Sequence, residues 1–183
     1  MDTDATGTDL AELIAADHRA VEALFDRLDA DAGDRKEVVQ ELVKALSRHA
    51  VAEEQVVYPA LRAAEGGDLL ADHAIDEHQV VKDALNRVDG GKPDDENVAS
   101  SLTTVMEEVR LHANREEAEL LPALRAAVGD ERMVELGRAY VEARDKAPTR
   151  PHPHAPNTPP GNVVAGAVAA PVDKVRDKLT GRD

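Results

Sequence analysis

The chain contains no cysteine, and aromatic residues make up only 2% of its 183 residues. The absence of cysteine excludes disulfides, thiolate zinc sites and iron–sulfur clusters. No run of about 18 apolar residues is present that could span a bilayer. The N-terminal sequence MDTDATGTDL is acidic and lacks the apolar stretch of a secretory signal. We therefore expect a cytoplasmic protein that does not enter a membrane.

Basic residues are also scarce relative to acidic ones. The chain has 22 basic and 37 acidic residues, which gives a formal net charge of −15. This charge argues against binding to nucleic acid or to an anionic membrane surface, and it is typical of a solvated surface that keeps a protein soluble. With so few aromatic residues, the core must consist of Ala, Val, Leu and Ile, which favours closely packed helices over strands.

Two segments of the chain are near-copies of each other. The segment beginning at His49 reads HAVAEEQVVYPALRAA, the segment beginning at His112 reads HANREEAELLPALRAA, and ten of the sixteen positions match. In each copy a glutamate follows the histidine by four residues, at Glu53 and Glu116. Residues four apart lie on one face of a helix, so each copy can direct an imidazole and a carboxylate at the same point.

A weaker second pair of segments extends this repeat. The segment HRAVEALFDRLD begins at His18, and the segment HQVVKDALNRVD begins at His78. The offset between these copies is 60 residues and that between the first pair is 63, so the chain contains two copies of one helical hairpin. The repeat identifies His78, rather than the nearby His73, as the counterpart of His18.

The apolar residues recur with the period of a helix throughout the first three-quarters of the chain. Short connections between long amphipathic helices predict an all-α fold, an antiparallel up-down-up-down four-helix bundle. A fifth helix, at about 130–146, is expected to pack across one end and to complete a domain formed by residues 1–147. The four long helices are predicted at about 9–29, 35–64, 69–88 and 95–128.

The composition changes after Ala147, where seven of the ten prolines lie. The stretch PTRPHPHAPNTPPG is incompatible with a helix and predicts an extended polyproline-II or disordered linker. The final residues, PVDKVRDKLTGRD, predict a short amphipathic helix with Val172, Val175 and Leu179 on its apolar face. This helix could dock on the bundle, dock on a partner or stay loose. Residues 148–183 are therefore predicted to form a Pro-rich tail.

Six candidate metal ligands lie on the apolar stripes of the four long helices. Burying such polar side chains costs several kcal/mol unless they find partners, and coordination of metal would offset that cost for all six together. Six ligands exceed the three or four that a zinc ion takes from a protein, and they fit two iron or manganese ions better. For any single histidine the alternative is a hydrogen-bonded core residue. The six candidates are His18, His49, Glu53, His78, His112 and Glu116.

The pattern H…HxxxE…H…HxxxE in a helical bundle resembles the hemerythrin-like, or HHE cation-binding, family over about residues 10–128. The resemblance implies a four-helix bundle with a non-haem di-iron centre, in which these six side chains bind two Fe ions and the two glutamates bridge them. It further implies binding or turnover of a small oxidant (O2, peroxide or NO), including catalase-like disproportionation of peroxide. The alternatives are iron or oxygen sensing or storage without turnover, and a structural bundle that holds zinc or no metal.

The chain departs from the oxygen-carrying members of that family at one position. Those proteins have a fifth histidine four residues before the third-helix ligand, where this chain has Ala74. One iron would therefore lack a nitrogen ligand, which a solvent molecule, His73 or Tyr58 could replace. His73 precedes His78 by five residues and so points about 140° away around the helix. Tyr58 stands where the other copy has Leu121; alternatively, it is a core tyrosine bonded to a backbone carbonyl.

Two further pairs of residues, the prolines and the second glutamates, occupy equivalent positions in the two copies of the repeat. Pro59 and Pro122 fall inside helical patterns, where each should kink its helix and remove one backbone hydrogen bond. These kinks would either shape the mouth of a pocket or simply let the bundle taper. Glu54 and Glu117 turn away from the apolar stripes, so we expect them to be solvated or, at most, to contact the ligands.

Overall fold

A computed structural model describes residues 8–91 and 95–181, and within these ranges all regular structure is helical. The chain therefore forms the helical bundle that its periodicity predicts. Part of the loop predicted around residues 89–95 and the N-terminal residues 1–7 lie outside the described residues.

The described residues contain six helical segments, here called rods. In two of these rods a π-helical turn joins two α-helices. Aspartate side chains at Asp9, Asp34 and Asp95 accept hydrogen bonds from the first backbone N–H groups of three rods and fix where these begin. The second rod joins α2 to α3 through the π-turn Glu53–Val57, and the fourth joins α5 to α6 through Glu116–Leu120. The α-helical bounds are α1 Leu10–Asp29, α2 Arg35–Ala52, α3 Tyr58–Arg62, α4 Asp68–Gly90, α5 Glu96–Arg115, α6 Leu121–Val128, α7 Asp130–Lys146 and α8 Gly161–Thr180.

The two π-turns replace the continuous α-helices that the sequence predicts at these places. Each begins at the glutamate of a His-x-x-x-Glu pair and ends just before the residue that precedes Pro59 or Pro122. In an α-helix a proline ring clashes with the carbonyl four residues earlier, and a wider turn relieves this contact. The prolines thus alter the helix at the positions that hold the two candidate ligands Glu53 and Glu116.

The apolar core consists of two clusters. The first core cluster includes Ile14 and Tyr140, and the second includes Val21 and Phe25. On α1 the buried His18 lies between Ile14 and Val21 in the sequence, so the helix passes from one cluster to the other at this histidine. Each cluster supplies fully buried side chains, and burying each large one contributes about 1.5–3 kcal/mol. The candidate ligands therefore lie between two apolar clusters that hold the rods in place.

Helix α7 has the predicted bounds and contacts α1, α2 and the first π-turn. Gly129, with a φ of 80°, ends α6 in a conformation that favours glycine, and the chain turns there into α7. No helix in residues 8–91 or 95–181 is long and apolar enough to cross a membrane.

The tail contains a helix longer than the one predicted, and the predicted apolar face points away from the bundle. Asp173 and Asp177 of α8 are buried, whereas Val172, Val175 and Leu179 are 60% exposed or more. The apolar face of Val172, Val175 and Leu179 therefore does not pack on the bundle, and docking of this face on a partner stays a prediction. The physical reason is that the tail is held by charged groups rather than by an apolar face.

Arg150 is the centre of this charged contact. Its guanidinium donates to Asp177 on α8 and to Asp89 at the end of α4, with Nη1–Oδ2 of 2.8 Å for Asp89. Asp177 also accepts from the hydroxyl of Thr149 at 2.5 Å. Arg150 is only 7% exposed, and a buried charge needs such partners. The segment between α7 and α8 has turns and bends but no regular structure, and this contact fixes it on the bundle.

Candidate metal centre

The structure brings all six predicted ligands together in two groups that could each hold a metal ion. None of the six residues is more than 9% exposed. Within each group the potential ligand atoms lie within 4.8 Å of one another, and Glu53 belongs to both groups. The first group is His18, His49, Glu53 and Glu116, and the second is Glu53, His78 and His112.

The carboxylate of Glu53 lies between a histidine of each group. Its Oε1 is 2.9 Å from Nε2 of His49, and its Oε2 is 3.1 Å from Nε2 of His78. His49 is one turn earlier in the same rod, whereas His78 comes from α4. A single carboxylate thus faces both halves of the cluster.

The carboxylate of Glu116 has the corresponding position on the other side. Its Oε2 is 3.3 Å from Nε2 of His18 in the first group and 3.8 Å from Nε2 of His112 in the second. The two glutamates, related by the sequence repeat, are therefore also related in the way they face the histidines.

Several buried atoms of this cluster have no hydrogen-bond partner among the described residues. They are Nε2 of His18, Oε1 of Glu53 and both carboxylate oxygens of Glu116. The neighbouring nitrogens are close, but the directions are not those of hydrogen bonds. Buried polar atoms are nearly always bonded, and leaving a carboxylate unsatisfied costs several kcal/mol. Nitrogen and oxygen lone pairs that converge in this way fit coordination of metal ions.

Two imidazoles in the second group face each other. Nε2 of His78 and Nε2 of His112 are 3.2 Å apart, and the ring centroids are 4.7 Å apart. If both rings carry their proton on Nδ1, the two Nε2 lone pairs repel each other unless a cation or a proton lies between them. This arrangement also fits a metal ion.

In each of the four histidines Nδ1 points away from the cluster, and this outer nitrogen is bonded to a group outside the cluster. Nδ1 of His18 is 2.7 Å from Oε1 of Glu117, and Nδ1 of His112 is 2.9 Å from Oε2 of Glu77. Ionised carboxylates only accept hydrogen bonds, so Nδ1 donates and Nε2 is left with its lone pair facing inward. Such outer partners orient metal-binding histidines and fix their tautomer.

His78 has a buried outer partner in Glu54, with Nδ1–Oε1 of 3.2 Å. Glu54 is 1% exposed, so of the two alternatives expected for it, contact with a ligand holds and exposure to solvent does not. Its burial is possible because the buried amine of Lys82 donates to its carboxylate, with Nζ–Oε1 of 2.6 Å and Nζ–Oε2 of 2.8 Å. Glu117, by contrast, is 45% exposed at its side chain and contacts His18 as well as solvent.

His49 is held by a chain of three groups. Its Nδ1 donates to the hydroxyl oxygen of Tyr140 at 2.8 Å, and that hydroxyl donates to Oδ2 of Asp17 at 2.7 Å. Arg144 donates to the same carboxylate, with Nη1–Oδ1 of 2.6 Å. Burial alone would raise the pKa of Asp17, but the nearby imidazole of His49 and the hydrogen bonds from Arg144 and Tyr140 lower it to about 2. Asp17 is therefore ionised at neutral pH.

The charges inside the cluster shift the pKa values of the histidines upward in the metal-free protein. Burial lowers the pKa of His49, but the nearby carboxylates of Glu53 and, less closely, Asp17 outweigh it and raise the pKa to about 10. Burial likewise opposes the rise for His78, whose pKa reaches about 9 through Glu53 and Glu54. The same histidines lower the pKa of Glu53 well below its usual value, against the effect of burial. Without metal, protons therefore neutralise the carboxylates.

Tyr58 lies inside the cluster, whereas His73 lies outside it. The hydroxyl of Tyr58 is 2.9 Å from Nε2 of His78 and 3.3 Å from Oε2 of Glu53, and it does not bond to a backbone carbonyl in the described residues. Burial, followed by the charge of Glu53, raises its pKa well above the usual value. The side chain of His73 is 59% exposed and contacts Arg115 at the surface.

Sequence reasoning missed several outer partners, namely Glu77, Tyr140 and Asp17. A signal for them was present, because Asp17, Glu54 and Glu77 each stand directly beside a candidate ligand. An acidic residue next to a metal ligand is too common in a chain with 37 acidic residues to be singled out. Tyr140 had no such signal.

Comparisons with known proteins agree with this geometry. The family described as the hemerythrin HHE cation binding domain matches residues 9–124, which include all six candidate ligands. An uncharacterized hemerythrin-like protein of Schizosaccharomyces pombe is 33% identical over 178 residues. That match covers 94% of this chain and 87% of the yeast protein, so it extends beyond the bundle into the tail. No solved structure matches the chain.

The span that matches this family contains all the side chains that converge between the two core clusters. The chain therefore belongs to the hemerythrin HHE cation-binding domain family.

Proposed function

We propose that this protein binds two iron ions in its His/Glu cluster and uses them to bind or turn over a small oxidant: peroxide, O2 or NO. The four long rods would run up-down-up-down around the ions, and the tail after residue 147 would be a separate addition. The ligands would be His18, His49, His78, His112 and the two glutamates Glu53 and Glu116.

One observation carries the proposal: inward-facing nitrogen and oxygen atoms without hydrogen bonds converge in a site whose outer nitrogens are all bonded. The ligand chemistry favours iron or manganese over zinc, because four imidazoles and two carboxylates exceed the coordination of one zinc ion. Two divalent ions would carry a charge of +4 against −2 from the glutamates, and this surplus would attract an anionic ligand such as peroxide.

The side chains of the site have distinct roles in this proposal. Glu53 and Glu116 each face a histidine of both groups, so they are the groups that would bridge two ions. Tyr58 keeps its proton at neutral pH in the metal-free protein and donates to Glu53, so it orients that carboxylate. When bound, a pair of iron ions would supply the one-electron chemistry that none of these side chains has.

A second candidate function is sensing of iron or of an oxidant without turnover. The contact of α8 with the π-turn Glu53–Val57 favours it, because that turn carries a proposed ligand. Lys82 connects the same region to the tail, since its amine donates both to Glu54 and to Asn157. A change in metal occupancy could therefore alter the position of the tail.

The test is metal analysis of the purified protein, with an absorption spectrum and with oxygen release measured after addition of hydrogen peroxide. We expect about two iron ions per chain, the near-ultraviolet band of an oxo-bridged ferric pair and steady oxygen release. Glu116→Ala should abolish all three, whereas Glu119→Ala, an exposed glutamate on the same π-turn, should not. A colourless protein that contains zinc would overturn the proposal, and iron with reversible oxidant binding but no oxygen release would favour sensing.

A further inference from the structure

A cavity of about 430 Å³ lies between the bundle and the tail. One wall is formed by the candidate ligands His18, His49, His78 and His112, and the opposite wall by the segment after α7 and the first half of α8. The cavity thus connects the proposed metal centre with the tail.

The cavity is too large for the small oxidants alone. A water molecule occupies about 30 Å³ in the liquid, and O2, NO and hydrogen peroxide are only slightly larger. The volume lies instead in the range of about 300–1,000 Å³ that is typical of sites for small organic molecules. Much of its lining is aliphatic, including Leu46, Val81 and Leu85 from the bundle and Ala169 from α8. An apolar molecule of several carbon atoms would therefore bury surface here.

Two polar side chains of the cavity wall lack hydrogen-bond partners in the described part of the chain. They are the amide of Asn162, near the start of α8, and the hydroxyl of Ser47 on α2. Asn162 is 5% exposed and Ser47 is 6% exposed. Unsatisfied buried polar groups are rare in proteins, and each calls for an explanation. A ligand with a hydroxyl-type group, which both donates and accepts, could pair with both.

The tail is fixed over this cavity by polar contacts. Asn157 accepts from the amine of Lys82 at 2.8 Å and donates to Oε1 of Gln79 at 3.1 Å. The side chain of Gln79 donates in turn to the backbone oxygen of Pro153 at 3.1 Å. These bonds hold the tail segment as a wall of the cavity, so the cavity is a built feature of the full chain.

From this arrangement we propose that the cavity binds an organic hydroperoxide. Its apolar part lies against the aliphatic wall, and its polar atoms pair with Ser47 and Asn162. This inference rests on the proposed function, because it specifies the class of oxidant that reaches the same site. The oxidant carries an organic group, and the tail, rather than the bundle alone, provides the site for that group.

The experiment measures binding of an unreactive probe, 2-phenyl-2-propanol, to the full chain loaded with zinc, by calorimetric titration. The probe is the alcohol that corresponds to cumene hydroperoxide, so it tests the cavity without any redox reaction. We expect saturable binding at one site, weakened about tenfold by Asn162→Ala, which removes the amide. Ala169→Phe, which places a large ring in the cavity wall, should weaken binding tenfold or more. Val175→Phe enlarges an exposed residue of the same helix outside the cavity and should leave binding unchanged.

A second readout uses the iron-loaded protein and compares cumene hydroperoxide with hydrogen peroxide. Ala169→Phe should lower the ratio of kcat/KM for the organic substrate to kcat/KM for hydrogen peroxide tenfold or more, whereas Val175→Phe should leave kcat/KM unchanged for both substrates. Absence of probe binding, or binding that is equal in the wild type, Asn162→Ala and Ala169→Phe, would overturn the inference and leave the proposed function standing. Probe binding to a protein whose iron reacts with neither peroxide would instead refute peroxide turnover at the metal centre and, with it, the assignment of a hydroperoxide.

Discussion

Loading of the metal centre should release at least two protons per chain at neutral pH. In the metal-free protein the pKa of His49 is about 10 and that of His78 is about 9, so both imidazoles carry an extra proton at pH 7. A histidine that binds metal must be deprotonated at the ligating nitrogen. Each ion therefore has to displace a proton that is itself held by Glu53.

The magnitude follows from these pKa values. At pH 7 a group with a pKa of 9 is ~99% protonated, because each pH unit changes the ratio tenfold. Two protons displaced together make the apparent affinity for the metal pair rise about 100-fold per pH unit below pH 9, which is about 2.7 kcal/mol. The stability of the metal-free protein depends on pH in the opposite direction, because it falls as the pH rises. Raised histidine pKa values stabilise its fold fully below a pH of about 6.5, and this contribution is lost as the pH rises through 9 to 10.

The assay is calorimetric titration of metal-free protein with Mn²⁺ in buffers of different ionisation enthalpy. The observed heat changes with the buffer in proportion to the number of protons released. Glu119→Ala, an exposed change near the site, is the matched control and should give the same number as the wild type. Release of fewer than one proton per chain at pH 7, or an affinity independent of pH between 6 and 8, would refute this reasoning.

Three further predictions concern other parts of the molecule. Glu116→Ala should reduce bound iron below one ion per chain by elemental analysis. It should also remove the stabilisation of the fold by bound metal, which is about 2.7 kcal/mol at a free metal concentration 100 times Kd. This loss corresponds to a fall of roughly 5–10 °C in Tm. Normal iron loading of the variant would contradict the ligand assignment. Tyr140→Phe removes the hydroxyl that accepts a hydrogen bond from His49 Nδ1, so it should weaken metal binding about 10- to 100-fold. An unchanged affinity in this variant would show that the hydroxyl does not orient the ring. Deletion of residues 148–183 should leave the bundle helical by circular dichroism and loaded with iron, with a lower Tm because the pairs of Arg150 are lost; loss of iron would mean that the tail belongs to the site.

The candidate ligands could be predicted from the sequence because each of them has a counterpart at the same place in the other copy of the repeat. A lone histidine on an apolar face has many explanations, but His18 and His78, at corresponding places in two copies of a hairpin, have few. The helical period predicts the helix bounds to within a few residues, because this signal is local. The convergence of the six side chains then follows from packing four such stripes together.

The parts that could not be predicted depend on contacts between distant residues. Glu54 is buried only because Lys82 of another rod neutralises it, and no local pattern contains that information. The face of α8 that packs on the bundle could not be predicted for a related reason. Its valines have the spacing of a buried face, but the buried ion pairs of Arg150 with Asp89 and Asp177 determine which face meets the bundle.

The outer partners form a closed sequence around the metal centre. Each acidic residue stands beside a candidate ligand on one rod and supports the histidine of the next rod, directly or, for Asp17, through the hydroxyl of Tyr140. Displacement of one rod would therefore move a ligand and, at the same time, the group that orients a ligand on its neighbour. This coupling explains how a site on four separate rods can keep its geometry, since no histidine depends only on its own helix. The supports run from Asp17 to His49, from Glu54 to His78, from Glu77 to His112 and from Glu117 back to His18.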